Sequence, residues 1–295
     1  MANQIAKFKK YIDLLDEVYK LESKTAVLES DATLARAGAN TNEIIIPKLS
    51  MDGLGDYDRN SGYVKGNVNM TYETVVFNYD RGRKFTVDSM DNEETAGLAF
   101  GKLSSEFIRV KVAPEQDAFR FAKYAGAAGT KVSGTLSTGT DVLDALRAAS
   151  AAMDEAEVPA DKRYLFITPT LMTAVRGVDT NKSTEILAKF AGIVEVPQVR
   201  FYTAIDLLDG TTAGEEDGGY RKHVSAGAQD EAGKDINFLI AEKSAVMQYT
   251  KHGVNKAISP DDNSDADAWI FNFREYGLAD VYENKTAGIY LHHKA

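Results

Sequence analysis

Apolar side chains recur every three or four positions over residues 2–22, and lysine, aspartate and glutamate fill many of the positions between them. This spacing predicts an amphipathic helix, because one side of the helix is then apolar and the other is charged. The apolar side needs a partner. The residues on it that we expect to contact that partner are Ile5, Phe8, Ile12 and Leu15. Small and polar residues follow over 30–42, a composition typical of a connector or arm.

The next segment, residues 43–90, has the pattern of extended chain. Its first part is β-branched, and Pro47 restricts that part to a sheet edge or a strand end because proline cannot donate a ladder hydrogen bond. Glycine, aspartate and asparagine dominate 51–67, which predicts a loop. The predicted strands are 43–49, 68–79 and 83–89, the last two paired around a turn at Asp80-Arg81-Gly82. An isolated ribbon is marginal in water, so this one is expected to rest on something outside itself.

From Asp91 the apolar spacing changes to that of a helix. Asp91 or Asn92 can cap its start, and apolar residues then recur at three- and four-residue steps. Pro114 interrupts the run and fits best as the first position of a continuing helix that stops at Gly126. The pattern therefore predicts a long helix, broken or kinked near residues 112–113.

The rest of the chain, residues 127–295, mixes helices and strands. A helix is predicted from Thr140 or Asp141 to about Glu157, and Pro169 closes a buried strand and precedes a short helix. The predicted strands here are 164–167, 192–202 and several after 236, the short helix is 171–176, and 210–233 is predicted as a polar loop. Because there is no regular β-α-β alternation, the fold class is α+β rather than a doubly wound sheet.

Composition excludes several classes of function. The chain has 295 residues, 44% of them apolar, and a formal net charge of -10. Nucleic acid is an unlikely direct ligand because phosphate binding needs clustered cations and no dense Lys/Arg run is present. The absence of cysteine excludes disulfides, thiolate nucleophiles and Cys-ligated metal sites. Apolar runs such as LFITPTLMTAV are too short and interrupted to span a bilayer.

Candidate chemical motifs are incomplete. The acidic runs that begin at Asp56 and Asp261 resemble the start of a calcium loop but lack its glycine and its final glutamate, so solvated turns are favoured. The sequence GAAGTK (126–131) lacks the spacing of a phosphate-binding loop. The histidines are His223, His252, His292 and His293, for which exposed, solvated positions are predicted. We expect no cofactor, no metal and no catalytic residue, and therefore not an enzyme.

Four stretches in order carry a family resemblance: YDRGRKFTVDSMDNEET, VAPEQDAFRFAKYAG, RYLFITPTLMTAV and GIVEVPQVRFY. Their order resembles that of the major capsid proteins of tailed bacteriophages with the Hong Kong 97-like shell fold, from about residue 43 to the end of the chain. The resemblance implies an N-terminal arm (1–42), an extended loop (43–90), a peripheral domain with a spine helix (91–133), an axial α/β domain (134–260) and C-terminal strands that return to the peripheral sheet (261–295).

The function that the resemblance implies is that of a major capsid (head) protein. Such a protein self-assembles as pentamers and hexamers into an icosahedral shell that encloses double-stranded DNA without sequence-specific binding. The implied location is the virion, after assembly in the bacterial host cytoplasm, with a portal as partner and no membrane. Met1 favours a separate scaffolding protein, since only a short arm precedes the extended loop. Lys65 lies in the loop, but no partner for it can be matched, so we expect no covalent cross-links.

Under this interpretation the extended loop contacts neighbouring copies. Its candidate contact residues are Tyr63, Phe77, Tyr79, Phe85 and Val87, which would bury against a neighbour or against their own spine helix. Three alternatives remain. The ribbon could be an internal sheet of a monomeric domain; the shell could be an encapsulin-type bacterial nanocompartment with a docking site for cargo enzymes; or the chain could be a soluble hydrolase or ligand-binding protein that uses unrecognised carboxylates.

Overall fold

The computed structural model describes residues 23–30, 36–37, 43–94, 98–178, 180–225, 227 and 230–295. The predicted helix over 2–22 lies outside them. The strands of the described chain are β1 (Arg36–Ala37), β2 (Glu43–Met51), β3 (Val68–Val76), β4 (Tyr79–Asp88), β5 (Thr130–Ser133), β6 (Arg163–Ile167), β7 (Gly192–Glu195), β8 (Ile205–Leu208), β9 (Gly219–Lys222), β10 (Ile236–Glu242), β11 (Val246–Ile258), β12 (Ala268–Val281) and β13 (Ile289–His293). Its α-helices are α1 (Ser89–Glu94), α2 (Leu98–Phe107), α3 (Ala113–Gly126), α4 (Gly139–Glu155), α5 (Pro169–Arg176) and α6 (Thr180–Leu187).

The extended loop folds differently from the predicted ribbon. Strand β3 pairs antiparallel with β2, so that Glu43 lies opposite Val76 and Met51 opposite Val68. The expected pairing of 68–79 with 83–89 is wrong, because β4 instead pairs with β12 over its whole length. The side chain of Asn78 explains the change of partner. It accepts from the backbone N–H of Ala279 at 3.1 Å and donates to the carbonyl of the same residue at 2.9 Å, which attaches the start of β4 to β12.

The predicted turn at Asp80-Arg81-Gly82 is likewise wrong, since these residues continue β4. Gly82 lies opposite Arg274, and a Cβ atom added there would come within 2.7 Å of the Phe273 carbonyl oxygen. Glycine is therefore required by close backbone approach inside a strand rather than by a turn.

A three-stranded sheet, in the order β11-β12-β4, carries the long helix on one face. That helix consists of α2, a π-helical turn (Ile108–Val112) and α3, and is called the spine helix below. The predicted break near 112–113 is confirmed. Pro114 has no N–H to donate to the preceding turn, and the N–H of Ala113 reaches back five residues to the carbonyl of Ile108, which widens the helix locally. Ile108, Val112 and Phe271 form a buried cluster between helix and sheet.

A five-stranded sheet has the order β5-β13-β10-β6-β7. Strand β10 lies at its centre and all seven of its residues are buried, which explains why five of them are apolar. Helices α4 and α5 cover one face through a cluster that includes Leu146, Met153 and Met172. Thr138 caps α4, two residues before the earlier of the predicted caps, in a reciprocal arrangement with Asp141. Strands β5 and β8 and helix α6 lie in segments for which no strand or helix was predicted. Strand β9 lies inside the predicted loop 210–233, and the predicted strand 192–202 ends at Glu195.

The C-terminal residues are divided between the two sheets. Strand β12 lies in the three-stranded sheet, whereas β13 lies beside β10 in the five-stranded sheet, so the strands of 261–295 do not all join one sheet. Strand β11, which precedes the expected boundary at 260, also belongs to the three-stranded sheet, because it pairs with β12. The short turn Lys243–Ala245 connects it to β10 of the five-stranded sheet. The chain therefore returns to the three-stranded sheet near residue 246 and leaves it again after residue 281. No described helix is long and apolar enough to cross a membrane.

Candidate functional site

The β2–β3 hairpin is attached to the body at its base and through one ion pair farther along its strands. Ile44 and Val75, which lie opposite each other, are buried against Met247, Tyr249 and Leu278 of the three-stranded sheet. Farther out, the Lys48 ammonium pairs with Glu73 at 3.0 Å and with Glu283. These ion pairs raise the pKa of Lys48, with Glu283 as the main cause. Beyond this point both strands are exposed to solvent.

The exposed part of the hairpin is apolar on one side. Directly opposed residues of antiparallel strands share a face, and faces alternate along each strand. Leu49 lies opposite Met70, and Met51 opposite Val68. We call the hairpin apolar face the set Leu49, Met51, Val68, Met70 and Tyr72, whose exposed fractions are 57%, 65%, 71%, 53% and 63%. The other face carries polar pairs, Lys48 with Thr71 and Ser50 with Asn69. A contiguous exposed patch of this kind is typical of a protein interaction site.

The hairpin ends in a loop, residues 52–67, that adds to this surface. Leu54 is fully exposed, and Tyr57 and Tyr63 contact each other edge to face at 4.8 Å. Asp58 and Gly62 exchange backbone hydrogen bonds around a tight turn in which Gly62 has φ +80°. The Asp58 carboxylate accepts from the N–H of Asn60 at 2.8 Å, a hydrogen bond that lowers its pKa. The calcium-like acidic run is thus used as turn chemistry, and the described residues contain no group of three ligands that could hold a metal ion.

A groove of about 710 Å³ lies between the spine helix, β4 and the β8–β9 hairpin. Its apolar lining comes from the three-stranded sheet and from the spine helix: Phe85, Leu103, Phe107, Val110 and Phe273. Arg81 of β4 connects that strand to the spine helix and to the β8–β9 hairpin. Its Nε atom donates to Glu115 of the spine helix at 2.7 Å, and its Nη2 atom donates to the carbonyls of Leu208 and Gly219 at 2.8 and 3.2 Å. The groove is therefore a concave surface with an apolar floor and a charged rim.

The structure places the predicted contact residues in different environments. Tyr79 is buried and its ring lies 5.0 Å from that of Phe119, while Phe85 contacts Phe107 at 4.8 Å. Both therefore pack on their own spine helix, which was one of the two expectations for them. Phe77 stacks on Tyr276 and Val87 lies half-buried opposite Trp269. Tyr63 is 88% exposed. The remaining candidates, Ile5, Phe8, Ile12 and Leu15, lie outside the described residues.

Sequence reasoning missed the hairpin apolar face. Its residues alternate with polar ones in VNMTYETVV, which is β3, and in KLSM at the end of β2. That alternation was visible, but it gains meaning only when 43–51 is paired with 68–76, because the pairing brings both apolar sets to one side.

Two histidines also depart from the solvated positions predicted for them. His292 is 4% exposed, its ring accepts from the Asn237 amide, and burial lowers its pKa. His223 lies between two carboxylates. Its Nδ1 atom contacts Asp206, and its Nε2 atom contacts Asp230 at 2.9 Å, so both ring nitrogens act as donors when the ring is charged. These two hydrogen bonds, that of Asp206 first, raise the pKa of His223.

No protein-family model and no curated protein matches the chain. Solved structures do match. A chain from the structure of Gordonia phage Cozz has a TM-score of 0.60 and 12% identity, over 93% of this chain and 87% of that one. A chain from the capsid structure of Staphylococcus phage Andhra has a TM-score of 0.55 and 12% identity, over 90% and 84%. A chain from a virus-like particle of Pyrococcus furiosus has a TM-score of 0.57 and 10% identity, over 97% and 99%.

The chain has the Hong Kong 97-like shell fold. The matches cover 87–99% of the paired chains, so the likeness extends over most of the fold and not over one part of it.

Proposed function

We propose that the chain is the major capsid (head) protein of a tailed phage, which self-assembles into the icosahedral shell around double-stranded DNA. The observation that carries the proposal is the fold match to chains from phage capsid structures, over 88–90% of this chain and 84–85% of those chains. The hairpin apolar face supports it, because a lone molecule leaves this surface in water and further copies can cover it. The role is structural rather than catalytic.

The contact between copies is proposed to be heterologous, with the hairpin apolar face of one copy in the groove of the next. One surface is convex and the other concave, and both combine apolar area with charged margins. The strands of the hairpin have nine residues each, so they extend about 30 Å at roughly 3.3 Å per residue, far enough to reach an adjacent molecule. A contact of this type generates rings when the rotation between copies closes, and each contact can be weak because closure links many of them.

The remaining partners follow from this function as proposals. Pentamers and hexamers of the chain would form the shell, and a portal and a separate scaffolding protein would take part in its assembly. The net charge of -10 suits a container that encloses DNA without gripping it. The shell would assemble in the host cytoplasm and become part of the virion.

Sedimentation velocity and negative-stain microscopy over a range of concentrations test the proposal. Purified chain is expected to form rings or closed particles above a threshold concentration, with or without added scaffolding protein. A monomer that persists at every concentration, in the presence of extracts that contain the phage's other head proteins, would contradict it.

Site-specific cross-linking tests the hairpin–groove contact. The chain has no cysteine, so single variants report without background. Met51→Cys and Val110→Cys are co-expressed as separate chains and treated with a short bismaleimide. Cross-linked dimers are expected in the mixture and in neither variant alone. Ser50→Cys, on the polar face one position before Met51, is the matched control for Met51→Cys. Equal yields of cross-linked dimer when either variant is co-expressed with Val110→Cys would contradict the proposed contact.

A second candidate is a nanocompartment shell, because the chain from a virus-like particle of Pyrococcus furiosus matches over 97% of this chain and 99% of its own length. The two functions differ in content. Particles isolated from their natural source are expected to hold nuclease-protected double-stranded DNA. Particles that hold an enzyme and no DNA would favour the nanocompartment.

A further inference from the structure

The N-terminal side of the described chain is fixed to the spine helix through one buried carboxylate, that of Asp117. Its Oδ1 atom accepts from the Ser23 hydroxyl at 2.9 Å, and from the N–H and hydroxyl of Thr25 at 3.1 and 2.8 Å. Its Oδ2 atom accepts from the N–H of Lys24 at 2.8 Å. Asp117 and Thr25 are both 0% exposed. Residues 23–30, called the arm root below, are therefore part of the body, although the sequence placed them in an arm.

The same carboxylate binds a second part of the chain. The guanidinium of Arg200 donates from Nη1 to Oδ2 at 3.0 Å and supplies the positive charge that a buried carboxylate requires. Arg200 ends the short turn Gln198–Arg200 between β7 and β8. The neighbouring residue Val199 accepts from the Tyr220 hydroxyl of β9 at 2.9 Å. Asp117 thus connects the arm root, by way of Arg200, to the β8–β9 hairpin.

The β8–β9 hairpin is one wall of the groove. Leu208 and Gly219 line the groove and accept from Arg81, so displacement of β9 changes its width. The arm root is held from other sides as well: Arg120 donates to the Thr25 hydroxyl at 2.9 Å, and the Gln248 amide donates to the Thr25 carbonyl at 3.1 Å. Leu28 is buried in the main core. A satisfied polar network of this kind holds or releases as a unit, because each lost partner leaves others unpaired.

We propose that Asp117 is a latch through which the seating of the arm root sets the position of the β8–β9 wall of the groove. A chain whose root is displaced has a loosened wall and a poorly formed groove. If the proposed function is correct, the arm root thereby controls whether a copy can receive its neighbour's hairpin. The coupling itself is a property of the single chain and does not depend on shell formation.

Hydrogen exchange measured by mass spectrometry on unassembled chain tests the coupling. Asp117→Asn keeps the shape of the side chain, removes the charge that Arg200 needs and replaces one acceptor by a donor. Exchange is expected to rise at least tenfold both in the arm root and in residues 198–222, while β10 stays protected. Asp154→Asn is the matched control, since Asp154 also pairs with an arginine, Arg163, but touches neither segment.

A milder variant keeps the test decisive if Asp117→Asn does not fold. Thr25→Val removes a hydroxyl of the arm root that contacts Asp117 and Arg120 and leaves Arg200 in place. Faster exchange in 198–222 as well as in the root supports the latch. Faster exchange in the root alone, or in neither segment, overturns it. Because this readout needs no particles, its failure is separate from a failure of the chain to form shells.

Discussion

The pair Leu49 and Met70 gives the most direct test of the hairpin apolar face. They lie opposite each other with 57% and 53% of their surface exposed. Full burial of a leucine or methionine side chain stabilises by about 1.5–3 kcal/mol, so roughly half of that is still available to a partner at each position. Leu49→Ser with Met70→Ser therefore removes about 1.5–3 kcal/mol from each contact between copies. At 1.4 kcal/mol per factor of ten, the contact becomes roughly 10- to 150-fold weaker.

The assay compares assembly with stability. Sedimentation velocity is expected to show a rise in the concentration at which particles first form. The free energy of unfolding of the single chain is expected to fall only by the share of each side chain that the chain already buries, which is less than half. Ser50→Ala with Asn69→Ala is the matched control, because these two residues form the adjacent pair and lie on the polar face of the hairpin. That control is expected to assemble like the unmodified chain.

Two results would refute the reasoning. Assembly of the Leu49/Met70 variant at the original concentration would mean that the hairpin apolar face stays exposed in the shell. An equal loss of assembly in the Ser50/Asn69 control would mean that the hairpin contributes through its backbone or shape rather than through apolar burial.

Two further predictions concern the single chain. Gly82→Ala should lower the free energy of unfolding by about 1–3 kcal/mol in denaturant titration, since the new methyl group would meet the Phe273 carbonyl, whereas Gly53→Ala, with nothing within 4 Å, should not lower it; equal effects would contradict the close approach. The raised pKa of His223 implies stabilisation that is present below its ordinary value near 6.5 and lost as pH rises through the higher folded value. The difference in unfolding free energy between the unmodified chain and His223→Gln should therefore be larger at pH 5.5 than at pH 9, with the exposed His252→Gln as control; a difference independent of pH would contradict the clamp between Asp206 and Asp230.

Local spacing predicted the elements whose causes are local. Pro114 predicted the break in the spine helix because the missing N–H acts within one turn. Strand β6 and helix α5 were predicted on either side of Pro169 for the same kind of reason. The partner of β4 was not predictable in this way, since it lies about 190 residues farther along the chain. The role of Gly82 depends on that partner, so turn chemistry was the wrong interpretation.

The candidate site was predicted in its location but not in its residues. The segment 43–90 was expected to contact neighbours, yet three of its five named contact residues, Tyr79, Phe85 and Val87, belong to β4, which is a strand of the body. Identity to solved shell chains of 9–14% explains why no sequence comparison matched: a core needs apolar residues of suitable volume in the right pattern, and many sequences provide them. The fold of this chain is similar to that of the solved chains although few residues are identical.

Cryo-electron microscopy of particles formed by the chain tests the central claim most directly. The account predicts a closed shell in which each β2–β3 hairpin lies on an adjacent copy, with Leu49 and Met70 covered by the groove between the neighbour's spine helix and β8–β9 hairpin. A shell in which the hairpin apolar face remains open to solvent, or purified chain that yields no particles under any assembly condition, would contradict it.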